Sequence, residues 1–214
     1  MWAVVPLKSP EHAKTRLAGC LSPAQRRQLS FDLAAHTIDA LQATPAIDAV
    51  AVVTSSTGIA AFAQARGARP LLLPDETGTA AAFAAAIAQL RPLNLDRLLM
   101  IAGDLPLASP AALQTLCAPC AGIDVTIVPD RHRAGTNALL CVPPDVLAPC
   151  FGEQSFQRHL AAARAANLHA RILEIDALAL DLDEPADLEE LRRRGGSADV
   201  AGIGDGVPGI ATAG

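Results

Sequence analysis

Leu98-Leu-Met-Ile-Ala-Gly-Asp-Leu-Pro-Leu107 is a run of apolar side chains that ends in one carboxylate, Asp104, and is then broken by Leu105-Pro106. An unbroken apolar run of this length is the signature of a central parallel strand covered on both faces. In open α/β sheets ligands gather at the carboxyl ends of such strands. A lone carboxylate there is placed to hold a divalent cation, and such a cation points to a phosphate-bearing substrate. The competing reading is an Asp that caps the following helix, but Ser109-Pro110 already supplies a cap for it.

Working outward, strands and helices alternate through the first two-thirds of the chain. Trp2 to Pro6 reads as a strand, and Leu7 to Arg16 as a loop. Ser22-Pro-Ala-Gln25 is a capping box with proline at the first helical position. It opens a helix closed by Pro45. Strands follow at Val50–Thr54 and Arg69–Leu73, with a small helix between them that ends at Gly67. An Ala-rich helix spans Thr79–Leu90. Beyond the Asp104 strand come a helix from Pro110, strands at Val125–Val128 and Asn137–Val142, and a short helix after Pro143-Pro144. A helix over Gln154–Asn167 follows. Arg171–Ile175 and Ala179–Leu182 read as extended, and a last helix from Pro185 reaches Arg192-Arg-Arg194, whose cations offset the helix dipole. The alternation predicts an α/β fold, a mostly parallel twisted sheet with helices on both faces, with an antiparallel pair among the later strands. Residues 195–214 lack periodicity and are expected to be a disordered tail behind a domain spanning 1–194.

Composition narrows the function classes. The 214 residues are 51% hydrophobic and only 3% aromatic, so a sizeable core with close, Ala-mediated contacts is expected. The net charge of −5 and the lack of a basic face argue against nucleic acid as a partner. No run approaches a membrane span. The amino terminus enters a strand with no basic region before it, which predicts no signal peptide. Five cysteines, an odd number, suggest free thiols and a cytoplasmic setting. Cys117-Ala-Pro-Cys120 has the spacing of a redox or zinc half-site but no matching second pair, and is read as two small residues at a helix end.

Three pieces carry chemistry. The loop after the first strand bears Lys8, Lys14 and Arg16, which can neutralise a triphosphate. It is not a Walker A loop, and the alternative is ordinary surface charge. Asp181-Leu-Asp183, read as a strand, presents two carboxylates on one side. Such a pair is costly unless a cation joins it. With Asp104 it makes three hard oxygen ligands suited to Mg2+, although Asp183 could instead cap the last helix. Finally, Gly152 and the helix start after it offer a phosphate or carboxylate site from free N–H groups, with hydroxyls from Ser155 and Thr136. Plain capping by Gly152 and Ser155 is the alternative. Arg158 and His159 could assist with anions, and His159 could equally be a half-buried polar residue. No Ser-His-Asp or Cys-His order favours a covalent mechanism.

Taken together, these motifs resemble the CofC family of 2-phospho-L-lactate guanylyltransferases. The resemblance rests on Val5-Pro-Leu-Lys8 with Lys14-Thr-Arg16-Leu, Gly103-Asp104-Leu-Pro106, Pro129-Asp-Arg131 with Gly135-Thr-Asn137, Phe151-Gly152-x-x-Ser155-Phe-x-x-His159, and Leu180-Asp-Leu-Asp183. It implies a Rossmann-like nucleotidyltransferase fold of the GT-A-like class. It also implies transfer of guanylate from GTP to a small phosphorylated acid (2-phospho-L-lactate, phosphoenolpyruvate or 3-phosphoglycerate), with pyrophosphate released, toward the deazaflavin coenzyme F-420. By match, Asp104, Asp181 and Asp183 would hold magnesium, and Thr136, Gly152 and Ser155 the phospho-acid. Lys8, Lys14 and Arg16 would face the triphosphate, with Lys14, Arg16 and Asp104 acting in catalysis. Asp75-Glu-Thr-Gly78-Thr-Ala80 stands where the family carries Gly-Leu-Asn in a loop lining the nucleotide. Gly78 is the residue of that loop that survives. A homodimer is compatible with the resemblance. The rival readings are a glycosyltransferase that uses Asp181-x-Asp183 for a sugar nucleotide, and a non-catalytic nucleotide-binding protein.

Overall fold

A computed structural model describes residues 1–10, 13–76 and 78–194; the expected tail lies outside them. Seven strands form one sheet in the order β3-β2-β1-β4-β6-β5-β7. They are β1 (Trp2–Pro6), β2 (Ala49–Thr54), β3 (Arg69–Leu72), β4 (Leu98–Ile101), β5 (Val125–Pro129), β6 (Thr136–Cys141) and β7 (Ala170–Ile172). β1 pairs in parallel with both β2 and β4, β2 with β3, and β5 with β7; β6 runs antiparallel to its neighbours β4 and β5. The expected antiparallel pair is therefore β6 against the rest.

The period-two alternation of the strands feeds two cores, one on each face. Ala3, Val5, Leu99 and Ile101 pack with Ile38 and Leu41 of α1 (Pro23–Gln42), Ile59 of α2 (Thr57–Ala65) and Leu113 of α4 (Pro110–Cys117). Val4, Leu98 and Met100 pack on the other face with Phe83 and Ala86 of α3 (Thr79–Leu90) and Phe156 of α5 (Ser155–Ala165). Small alanines on α3 let helix and sheet approach closely, as the aromatic-poor composition requires. A third cluster joins Leu17, Leu21, Leu29 and Leu33 to Leu180, Leu182, Leu188 and Leu191. It clamps the turn at Thr15–Leu17 and the start of α1 to α7 (Pro185–Arg193).

The capping signals act as read. Ser22 and Gln25 form the reciprocal box of α1, and Ser109 Oγ accepts from Ala112 N to start α4. That leaves Asp104 free of capping duty.

Four readings are corrected. The central strand stops at Ile101, so Asp104 sits on the loop beyond it. Pro143-Pro144 leads into a turn, entered through a cis Val142–Pro143 peptide, and no helix forms there. The extended stretch from Arg171 is strand only as far as Ile172. Leu180–Asp183 is not a strand: a one-turn helix, α6 (Asp176–Ala179), precedes it. The alternating Leu180 and Leu182 reflect burial in the third cluster rather than sheet pairing. The Leu182 amide instead donates to the Asp104 carbonyl at 3.2 Å. All five cysteines are free; burial pushes the Cys117 thiol up to about 11. No helix among the described residues is long and apolar enough to cross a membrane.

Candidate active site

A cleft of about 850 Å3 opens at the carboxyl ends of β1, β2 and β4. Its walls include Lys8, Arg16, Asp104, Thr136, Gly152, Ser155, Asp181 and Asp183. Residues from all three of the chemistry-bearing pieces, and from the Asp104 loop, thus meet here. The expected nucleotide loop contributes Asp75, Glu76 and Thr79 to the wall, whereas Gly78 is not part of it. Gly103 makes the floor possible. A Cβ there would meet Leu7 Cδ2 at 2.5 Å and Val5 Cγ1 at 3.0 Å, so a larger residue would have to push the Leu7 side chain aside where the exits of β1 and β4 lie side by side.

Lys14 sits behind this floor with its side chain only 8% exposed. Its ammonium reaches Asp104 Oδ2 at 2.5 Å and Asp183 Oδ1 at 2.8 Å. Its backbone is left-handed, with φ 54°, a strain usually retained at functional positions. Burial disfavours the charge on Lys14, but Asp104 and Asp183 outweigh that and hold its pKa above the usual lysine value. Asp181 completes the cluster. Burial, then the charges of Asp104 and Asp183, raise its pKa to about 7. A carboxylate lifted this far marks a site that wants positive charge. Among the described residues no three acidic, His or Cys side chains are gathered into a preformed metal cage. Arg16 pairs with Glu184 at 3.0 Å, both side chains more than half exposed. Such a pair contributes little and leaves the guanidinium free to move.

Asp187, which no motif singled out, holds the acidic loop in place. Its Oδ2 accepts from the amides of Asp183 (2.9 Å) and Glu184 (2.6 Å), and its Oδ1 from Arg131 Nη2 at 2.5 Å. The start of α7 is thus secured by Asp187 rather than capped by Asp183. Asp130 organises the opposite loop by accepting from the amides of His132, Ala134 and Gly135. Asn137 donates to the Leu178 carbonyl at 2.9 Å. An Asp at the third helical position was the only local signal for the first; Asp130 closes a turn on the five residues that follow it, and only the Asn137 bond arises across the fold.

The hydroxyl wall differs from its expected form. Ser155 Oγ accepts the Thr136 amide at 2.8 Å, so it ties β6 to α5 rather than capping the helix. The amides of Ser155 and Phe156 donate to Gly152 and Ala134 carbonyls. These two groups at the helix start are therefore not free, and anion binding falls more heavily on side chains. Gly152 has φ 115°, a conformation that favours glycine. His159 is fully buried against the ring of Phe151, with Nδ1 2.9 Å from Thr136 Oγ1 and Nε2 2.8 Å from the Cys150 amide.

Burial, with the Arg158 charge second, lowers His159 from 6.5 to about 4. A group with a depressed folded pKa contributes stability above its unfolded pKa, and that stability is lost as pH falls through the folded one. The window here runs from about 6.5 down to about 4, and the full effect is at most about 3 kcal/mol. Urea unfolding from pH 7 to pH 4.5 is expected to show a steeper loss for the native chain than for His159→Asn. Parallel curves would contradict a buried neutral imidazole.

The comparisons agree with this geometry. Residues 1–200 match the family of CofC-like guanylyl transferases. The chain belongs to this guanylyltransferase family. One relative, a phosphoenolpyruvate guanylyltransferase of Conexibacter woesei, is 41% identical over 94% of both chains. A 2-phospho-L-lactate guanylyltransferase of Methanothermobacter thermautotrophicus is 30% identical over 88% of this chain and 82% of its own. Among solved structures, a nucleotidyl transferase from the latter organism superposes with a TM-score of 0.67 at 19% identity, covering 90% of this chain and 95% of its own. A Mycobacterium tuberculosis protein solved with manganese gives 0.57 at 15% identity, covering 89% of this chain and 98% of its own. The solved structures show that this CofC-like chain shares the nucleotidyltransferase fold.

Proposed function

We propose that the cleft joins GTP to a small phosphorylated acid and releases pyrophosphate, supplying a guanylylated phospho-acid for deazaflavin coenzyme synthesis in the cytoplasm. The observation that carries this reading is the convergence, in one cleft of a guanylyltransferase-family chain, of the Lys14–Asp104–Asp183 cluster and the Thr136–Ser155 wall.

A divalent cation, magnesium for preference, fits the acidic side. Asp104 and Asp183 already converge on one positive group, and the neighbouring Asp181 is lifted by burial and then by their like charge. Mg2+ is typically held by one or two carboxylates plus substrate phosphates, so a cage of three closely gathered protein ligands is not required. Asp104 and Asp183, with Asp181 beside them, would hold it. When bound, it would neutralise the phosphates and polarise their oxygens.

The chain's own residues do the remaining work. Lys8 and Arg16 supply mobile positive charge at the mouth for the triphosphate. Lys14 fixes the spacing of the two carboxylates. Thr136 and Gly152 orient the acceptor, with Ser155 supporting Thr136 from behind. A phosphate oxygen of the acceptor forms the new bond to the α-phosphorus of GTP as the bond to the β-phosphate bridging oxygen breaks, and pyrophosphate leaves with that electron pair. A phosphate monoester is already ionised near neutral pH, so no general base is needed. Rate enhancement comes from alignment and from charge neutralisation.

The decisive experiment mixes the protein with Mg2+, each nucleoside triphosphate in turn, and a panel holding phosphoenolpyruvate, 2-phospho-L-lactate and 3-phosphoglycerate. Pyrophosphate and a guanylyl phospho-acid of the expected mass should appear with GTP. Release of a nucleoside diphosphate from a sugar nucleotide would support a glycosyltransferase instead. GTP binding without turnover on any acceptor would leave a non-catalytic binder.

A further inference from the structure

Both ring nitrogens of His159 are committed. The Cys150 amide, 2.8 Å from Nε2, can only donate, so Nε2 must be the bare acceptor. The ring's proton therefore sits on Nδ1, which donates across 2.9 Å to Thr136 Oγ1. An oxygen that accepts there must turn its own O–H away from the imidazole. Thr136 lines the cleft, and its backbone is pinned by the bond from its amide to Ser155 Oγ at 2.8 Å. The other bond of the ring, to Cys150, fixes the chain just before Phe151-Gly152, and Phe151 stands edge-on to the imidazole. One buried ring thus touches Thr136 and braces the chain that leads to Gly152.

We propose that His159 is a positioning residue for the acceptor: by donating from Nδ1 to Thr136 it leaves the threonine hydroxyl as a donor aimed at the phosphate or carboxylate of the phospho-acid. The inference rests on the acceptor-site reading above. The imidazole itself touches no reacting atom. Its neutral form is what the geometry demands, since a second proton on Nε2 would face the Cys150 N–H.

The two nitrogens can be separated by substitution. Asn places an amide donor near the Nδ1 position, and Gln places a carbonyl acceptor near Nε2. His159→Gln is expected to raise the KM for phosphoenolpyruvate or 2-phospho-L-lactate about tenfold, with the KM for GTP within about twofold. His159→Asn should stay within about threefold of the native value for the phospho-acid, and the reverse order would overturn the proposal. Thr136→Val should raise the phospho-acid KM at least as much as His159→Gln, and adding His159→Gln to it should then change little. A tenfold effect that persists in the Thr136→Val background would show that His159 does not act through Thr136. A Thr136→Val enzyme with native KM would overturn the acceptor-site reading itself. Should the Gln variant not fold, 15N NMR of the native imidazole reads the tautomer directly. Protonated Nδ1 with bare Nε2 is expected, and the opposite tautomer or a charged ring at pH 7 overturns the proposal.

Discussion

Asp104→Asn is expected to lower guanylyl transfer by on the order of 10³-fold, comparable to removing a principal charge-stabilising group from other active sites. The substitution keeps the size of the side chain and removes its charge. The Asp104 carbonyl that accepts from Leu182 is untouched, and Lys14 retains Asp183 as a partner. The loss of one ion-pair partner is offset in part by removing the Asp104 charge, which after burial is the next cause that lifts Asp181. The thermal midpoint should therefore stay within about 4 °C of the native protein. GTP turnover measured by pyrophosphate release, beside a melting curve, separates the two effects. A variant that turns over at near-native rate would remove Asp104 from the chemistry.

Lys14→Met is the second large effect, and its signature lies outside the activity assay. Methionine can fill the volume of the lysine stem, but Asp104, Asp181 and Asp183 then crowd together without a counter-ion. Leaving buried charge uncompensated costs several kcal/mol in a dry site. Asp183 is 47% exposed, so solvent reduces the cost here to about 1–3 kcal/mol. Turnover should fall by about 100-fold, because the two carboxylates lose their fixed spacing. The midpoint of the variant should rise more on adding millimolar Mg2+ than that of the native chain, since a cation that binds only the folded state stabilises it. Equal shifts in both proteins, or none in either, would mean that these three acids are not where a cation binds.

Much of this molecule was legible locally. Unbroken apolar runs became strands buried on both faces. Ser22 and Ser109 became helix caps, because a hydroxyl reaches an amide three residues on wherever the chain turns into a helix. Asp104 marked the ligand end of the central strand, since a lone carboxylate at the end of an apolar run is a property of the residues themselves. Leu180–Asp183 misled for the same reason: alternating burial looks the same whether the partner is a strand or a cluster of leucines.

What local spacing could not reveal is which charges meet. Lys14 pairs with acids 90 and 169 positions away. That meeting depends on the strand order and on Leu17 and Leu182 sharing one core. The use of the Ser155 hydroxyl on the Thr136 amide, and of His159 on Thr136 and Cys150, likewise arises only when β6 lies beside the start of α5. Sequence alone determined the elements, because hydrogen bonding and burial within them act over a few residues. The tertiary structure decided the partners of each charged and polar group, because electrostatics and desolvation act through space.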